Sequence, residues 1–314
     1  MTKKLIFVFV TLGFYLGIIA YSDFGVFSEN LSKFKIEFLV LVIFLNSLVL
    51  LIKGHRQQIL LESLGINIPR KINHLLYLAG LSMLITPGGT GQVIKSYFLK
   101  NKFGINISKS IPLVFIERLN DLIAIISVLT FVVFINGAYE LFLPLIILWI
   151  FMVMILTAFR IKKFYKKIEL FLIRFTFFRK RIEGISKSYD GFQSTTTKLV
   201  VLKTYSLSLI SWIIDAVSIY CIFLGFNLDF DIIYTTFVMF ASLLLGFVTL
   251  LPSGLGVTEL SFIGLLTNKG IEVSLATSII VMIRLTSVWF STIIGIITTK
   301  IFLRQKKLDN ENIE

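Results

Sequence analysis

Six long apolar runs set the strongest limit on what this chain can fold into. Leu5 to Tyr21, Phe38 to Ile52, Ile111 to Ile135, Tyr139 to Phe159, Leu199 to Phe226 and Ser274 to Phe302 are interrupted by few charges. Several reach the ~20 residues that carry a helix across a ~30 Å hydrocarbon core. In that core no water satisfies the backbone, so each run must bond its own N–H and C=O groups as a helix. The expected fold is an all-α integral membrane protein with six transmembrane helices. Lys3 and Lys4 ahead of the first run look like the start of a signal peptide. No small-x-small cleavage pattern follows, however, and the run is long for such a signal. It reads as a retained helix.

The charges left between the runs are mostly basic. Lys and Arg number 31 against 18 Asp and Glu, a net +13. They cluster at Lys3 and Lys4, at Lys53, Arg56, Arg70 and Lys71, from Arg160 to Lys187, and from Arg304 to Lys307. Clustering of this kind marks cytoplasmic loops and contact with anionic lipid rather than nucleic-acid binding. It places both termini in the cytoplasm of a multi-pass protein of the cell (plasma) membrane. A lone cysteine, Cys221, and two histidines, His55 and His74, offer neither a disulfide framework nor a metal site. No phosphate-binding Gly-x-x-x-x-Gly-Lys loop and no Gly-x-Ser-x-Gly nucleophile elbow occurs, so no cofactor and no standard hydrolytic site are expected. Residues 1–314 read as one membrane domain.

A short signature occurs twice. Pro87-Gly88-Gly89-Thr90-Gly91 is followed 31 residues after Pro87 by Arg118, and Pro252-Ser253-Gly254-Leu255-Gly256 is followed 32 residues after Pro252 by Arg284. Apolar segments broken by Pro and Gly at corresponding places of two halves are the mark of a transporter built from repeats. The halves are about 33–159 and 199–303, linked by a basic segment at 160–190. Leu75 to Thr86 is too short to cross alone, and Ile232 to Leu251 abuts the second signature. Counting crossings between the basic clusters makes each signature the turn of a re-entrant hairpin, one entered from the cytoplasm and one from outside. The two repeats then run antiparallel, an inverted-topology pair. Proline ends each incoming half-helix, and the glycines allow positive φ and close backbone approach. The outgoing half-helix presents free N–H groups and a positive dipole end, which suits a phosphate.

Ionisable residues inside such runs are costly, and they single out the candidate site. Arg118 and Arg284 read as a phosphate-binding pair lining one polar cavity, since lipid-facing arginines cost at least ~2.5–3.5 kcal/mol. The alternative is structural pairing of Arg118 with Asp121, or of Arg284 with Glu259. Lys95 either meets a head group or snorkels to the interface. Gln92 is either a head-group partner or a plain N-terminal polar residue. Glu117 and Asp121 share one helical face and balance Arg118 and Lys95. Asp215, one turn beyond Trp212, reads as a coupling acid or, preferably, a helix–helix hydrogen-bonding group. Glu259 lies three residues past Gly256. From Arg160 to Lys187 ten residues are basic and two acidic. Phe164, Ile168, Phe171, Leu172, Phe175, Phe178 and Ile182 recur there at helical spacing. This is an amphipathic helix suited to anionic phospholipid, or simply a topology marker between the halves.

These motifs resemble the membrane (flippase) domain of the lysylphosphatidylglycerol synthases, the multiple peptide resistance factors and their stand-alone relatives. That family resembles Pro-Gly-Gly-x-Gly-Glu-x-x-Arg, Glu-Arg-x-x-Asp, Pro-x-Gly-x-Gly-x-x-Glu and an embedded Arg. The matching stretches are Pro87 to Lys95, Glu117 to Asp121, Pro252 to Glu259, and Arg284. Gln92 stands for the family's Glu and Lys95 for its Arg, which keeps the charge but not bidentate phosphate binding. The resemblance implies a lipid translocase or lipid-handling membrane protein for an anionic, aminoacylated or lipid-linked substrate. It also implies a head-group site built from Pro87, Gly88, Gly89, Gly91, Gln92, Lys95, Glu117, Arg118, Asp121, Pro252, Gly254, Gly256, Glu259 and Arg284. No counterpart of the family's soluble synthase domain is expected, so phosphatidylglycerol lysyltransferase activity is not. The alternative is an integral-membrane transferase or accessory subunit of lipid modification. A separate soluble synthase or glycosyltransferase is an expected partner.

Overall fold

A computed structural model describes residues 24–86, 90–173, 182–249 and 251–311, with Gly13 and Gly17 as isolated helical positions. The expected span Leu5 to Tyr21, the first turn at Pro87, Gly88 and Gly89, and residues 174–181 of the basic segment lie outside these. The regular elements of the described residues are all helices. In order come α1 (Phe24–Ser32), α2 (Ile36–Ser63), α3 (Arg70–Gly80), α4 (Ile94–Phe103), α5 (Ile107–Ile135), α6 (Phe142–Arg160), α7 (Lys162–Ile173), α8 (Ile182–Thr195), α9 (Lys198–Gly225), α10 (Ile232–Val248), α11 (Val257–Thr267), α12 (Val273–Arg284) and α13 (Phe290–Glu311). Short 3₁₀ turns at Leu81–Met83 and Thr90–Val93 join α3 to α4, and a π-helical turn at Leu285–Trp289 joins α12 to α13.

Among the described residues five helices are long and apolar enough to cross a bilayer: Ile36–Ser63, Ile107–Ile135, Tyr139–Arg160, Lys198–Gly225 and Val273–Arg304. They coincide with five of the six expected runs, and the protein is a multi-pass membrane protein. Burial divides these helices by role. Half of the apolar window of Ile107–Ile135 is buried, against 11% for Tyr139–Arg160. On α6, Leu143, Ile146, Ile147 and Ile150 point outward, as residues solvated by lipid do.

One boundary differs from expectation. The run Phe38 to Ile52 does not end its helix at Ile52; α2 continues to Ser63. Beyond Ile52 the buried positions Arg56, Gln57, Leu60, Leu61 and Leu64 keep the helical spacing of three and four. Arg56, expected to be a loop charge, is therefore a buried residue of the helix. The helix stops at Gly65, whose φ of 65° breaks the right-handed path.

The chain divides into two compact units, each assembled from separate stretches. The first comprises Met1–Leu50, Leu81–Gln92 and Ile213–Ile297, the second Leu51–Gly80, Val93–Trp212 and Thr298–Glu314. In the first unit, Phe34 packs edge-on to Phe226 at 4.9 Å. The π turn leaves backbone carbonyls out of register with the α ladder, and the buried Asn46 donates to Thr286 O at 2.8 Å. In the second unit, Phe115, Phe159 and Phe192 form an aromatic cluster that fixes α5, α6 and α8 together.

The closest backbone approach in the first unit generates a test. A Cβ on Gly295 would lie 2.2 Å from Ser82 N and 2.6 Å from Leu81 C, backbone atoms that cannot rotate away. Gly295→Ala should therefore cost roughly 1–3 kcal/mol by overpacking. Gly264, in helix α11, has nothing within 4 Å of its Cβ position. Gly264→Ala should instead gain about 0.5–1 kcal/mol from helix propensity. Thermal unfolding of the two variants in detergent should move in opposite directions from the parent.

Candidate functional site

The second Pro–Gly turn is described in full, and its geometry explains the signature. Ser253, Gly254 and Gly256 all have positive φ, at 49°, 68° and 86°. For Ser this conformation is unfavourable and needs support from outside the residue. Its hydroxyl donates to Leu84 O at 3.3 Å, and Arg284 Nη2 donates to its carbonyl at 3.3 Å. Gly254 sits so close to Gly246 that a Cβ would lie 3.0 Å from the Gly246 Cα. Glu259, in the third position of α11, closes the turn. Its Oε2 accepts from Gly256 N at 2.8 Å, the reciprocal half of a capping box. Its Oε1 accepts from Arg284 Nε at 2.7 Å. Arg284 and Glu259 are 3% and 0% exposed, so the pair is fully inside the protein. Of the two readings of Arg284, the structure shows the ion pair with Glu259. A small cavity lined by Ile85, Ser253, Leu255, Glu259, Arg284, Val288 and Trp289 adjoins it.

Of the first turn, Gly91 and Gln92 are described. Gly91 N donates to Thr86 Oγ1 at 2.6 Å. A Cβ there would lie 2.5 Å from that oxygen, so the residue has to be glycine. Gln92 is buried.

Lys95 neither snorkels nor reaches the surface, being 0% exposed. Its Nζ donates to Glu117 Oε2 and, at 3.0 Å, to Gln57 Oε1, and it lies 5.5 Å from the centre of the Tyr77 ring. Gln57 is held in turn: its Nε2 donates to Asn73 Oδ1 at 2.8 Å, and Asn73 Nδ2 donates to Gly54 O at 2.8 Å. A chain of amides thus fixes which end of Gln57 faces the ammonium.

Asp121 pairs with Arg56, not with Arg118. Arg56 Nη1 donates to Oδ1 at 2.6 Å and Nη2 to Oδ2 at 3.4 Å, and Trp212 Nε1 adds a third bond at 3.3 Å. Arg56 also donates to Ser208 Oγ at 2.7 Å, and Lys53 Nζ lies 4.4 Å from the centre of the Trp212 ring. The expected balance of Glu117 and Asp121 by Arg118 and Lys95 is therefore half met. Glu117 takes Lys95, and Asp121 takes a partner 65 residues away that hydropathy had assigned to a loop.

That leaves Arg118. It lies about 16 Å along α5 from its start, is half-buried, and makes no hydrogen bond or ion pair among the described residues. Its Nε is buried with no acceptor. On the same turn Glu117 Oε1 and Asn120 Nδ2 are also buried without partners. Asp215 is half-buried on α9 in the first unit. Among the described residues no group of His, Cys, Asp and Glu is arranged to hold a metal. Arg56, Gln57 and Asn73 were missed as site residues, although Ile52–Arg56–Leu60 and Gln57–Leu61–Leu64 continue the apolar stripes of α2 at helical spacing.

Comparison with known proteins agrees with the membrane architecture. The family described as the lysylphosphatidylglycerol synthase TM region matches residues 6–295. The UPF0104 membrane protein MJ1078 of Methanocaldococcus jannaschii is 30% identical over 225 residues, 68% of this chain and 90% of that protein. MJ1595 of the same organism is 26% identical over 97% of this chain and 96% of its own length. PH1989 of Pyrococcus horikoshii is 25% identical over 87% and 88%.

The buried pairs carry a stability prediction. Removing one partner strands a charge, at about 3–5 kcal/mol, whereas replacing both with apolar residues avoids that loss. Arg56→Met should lower thermal stability in detergent strongly, and Arg56→Met with Asp121→Leu should recover much of it. A double variant no more stable than the single one would show that the loss does not come from stranding the Asp121 charge.

Proposed function

Because the chain belongs to the lysylphosphatidylglycerol synthase TM region family, we propose that it is a lipid translocase, moving a lipid with an anionic head group across the bilayer. The observation that carries this reading is Arg118. Its neighbours Glu117 and Asp121 are engaged by Lys95 and Arg56, and no acidic partner for Arg118 occurs among the described residues. A guanidinium held within an apolar span without a counter-ion is built to receive one, and a phosphodiester matches its paired donors.

In this reading Arg118 takes the phosphate while the acyl tails stay in the bilayer. Replacing head-group hydration with fixed donors lowers the barrier to crossing the core. Arg284 and Glu259 serve the second turn by holding it open in a conformation that glycine and a strained serine alone would not keep. The architecture that goes with this function has six spans, two re-entrant hairpins related as inverted repeats, and both termini in the cytoplasm of the plasma membrane. The basic face of α7, where Lys162, Lys163, Lys166 and Lys167 are exposed, lies against anionic lipid of the inner leaflet. A separate soluble synthase or glycosyltransferase supplies the lipid.

The test is translocation of head-group-labelled phosphatidylglycerol by purified protein in liposomes. Arg118→Gln should abolish transport with little change in thermal stability, and Arg118→Lys should retain part of it. Arg284→Gln should instead lower stability, since it strands Glu259. Undiminished transport by Arg118→Gln would mean that the lipid passes elsewhere.

A further inference from the structure

Three carboxylates are fully inside the described protein, and they differ in how many donors hold them. Asp121 accepts three bonds, from Arg56 Nη1, Arg56 Nη2 and Trp212 Nε1. Glu259 has a donor on each oxygen, Arg284 Nε on one and Gly256 N on the other. Glu117 is held through Oε2 alone, by Lys95, and its Oε1 is buried with no donor. A carboxylate is fixed in its ionised form by the donors around it. On Asp121 and Glu259 each oxygen already has a donor against it, whereas Glu117 Oε1 has none and is open to a proton.

Protonating Glu117 would strand Lys95 unless the ammonium had somewhere else to go. It has two acceptors already in place: Gln57 Oε1 at 3.0 Å and the face of Tyr77 at 5.5 Å. The Asn73 clamp keeps the Gln57 oxygen turned toward it. The other charged or titratable groups around Glu117 are Arg56 on α2, Tyr77 on α3, and Arg118 and Asp121 on its own helix. From α6 and α8, Phe159 and Phe192 reach α5 at Phe115 and bring no charge.

We propose that Glu117 is a reversible proton site coupled to anion binding at Arg118, so that the lipid anion and a proton move together. This rests on the head-group reading of Arg118. An anion on Arg118 sets a second negative charge beside Glu117 in a medium of low dielectric, and the repulsion is relieved when a solvent proton adds to Oε1. The carboxylate becomes a carboxylic acid, Lys95 keeps its three protons, and its contact passes to Gln57. Loss of the proton on the far side restores the carboxylate and expels the anion. Anion and proton together leave the summed charge of the cluster as it was in the empty protein.

Infrared difference spectroscopy of the detergent-purified chain tests the proton site without any lipid. A carboxylic-acid C=O band should appear on acidification, vanish in Glu117→Gln and persist in Asp121→Asn. No titrating band, or one that survives in Glu117→Gln, overturns the proposal. Phosphatidylglycerol is then added to weakly buffered protein with a pH dye. Wild type should take up protons on binding, Glu117→Gln should bind without uptake, and Gln57→Met should show reduced uptake. Binding of the lipid by wild type without uptake overturns the coupling. A Glu117 band in a protein that does not bind phosphatidylglycerol upholds the proton site and refutes the head-group reading alone.

Discussion

An ionised side chain in hydrocarbon must find a partner inside the protein, and that requirement organises this chain. The described spans carry three fully buried ion pairs: Arg56 with Asp121, Lys95 with Glu117, and Arg284 with Glu259. Each joins residues from different helices, so each fixes the rotation of one helix against another in a way that apolar contacts alone would not. Desolvation makes such pairs poor sources of net stability. Their value lies in specifying one arrangement, because any slip of a helix strands a charge in a medium that penalises it. Arg118 departs from this pattern, and the functional reading follows from that departure.

The described parts of the Pro–Gly turns also bond their own backbone groups within the protein. At the second turn Glu259 serves two needs, accepting from Gly256 N while neutralising Arg284. Arg284 closes the circuit by donating to Ser253 O, the carbonyl of the residue with φ of 49°. At the first turn, Thr86 and Gly91 show the same economy on a smaller scale: one hydroxyl donates to Met83 O and accepts from Gly91 N. The π turn after Arg284 has its own support in Asn46.

How much of this was legible in the sequence depended on distance along the chain. The spans were legible because length and apolarity are local properties: Ile107–Ile135, Lys198–Gly225 and Val273–Arg304 lie within a few residues of the expected runs. The pairing of Glu259 with Arg284 was legible as an alternative, since both follow the second signature, 25 residues apart, as charges among apolar residues. Arg56 was not, because a hydropathy reading ends a span at the first polar cluster. Lys53, His55, Arg56, Gln57 and Gln58 read as a loop although Leu60, Leu61 and Leu64 carry the stripe onward. Its partner Asp121 lies 65 residues away, and no local pattern reports a contact that only the packing of α2 against α5 creates. With Asp121 assigned to Arg118 instead, the isolation of Arg118 was hidden.

The central claim is that Arg118 is the anion receptor and that the other buried arginines are occupied by their carboxylates. Native mass spectrometry of protein released from detergent carrying phosphatidylglycerol tests it directly. The account predicts that wild type retains a bound phosphatidylglycerol, that Arg118→Gln loses it while staying folded, and that the Arg56→Met, Asp121→Leu double variant keeps it. Equal retention of the lipid by wild type and Arg118→Gln would contradict the account.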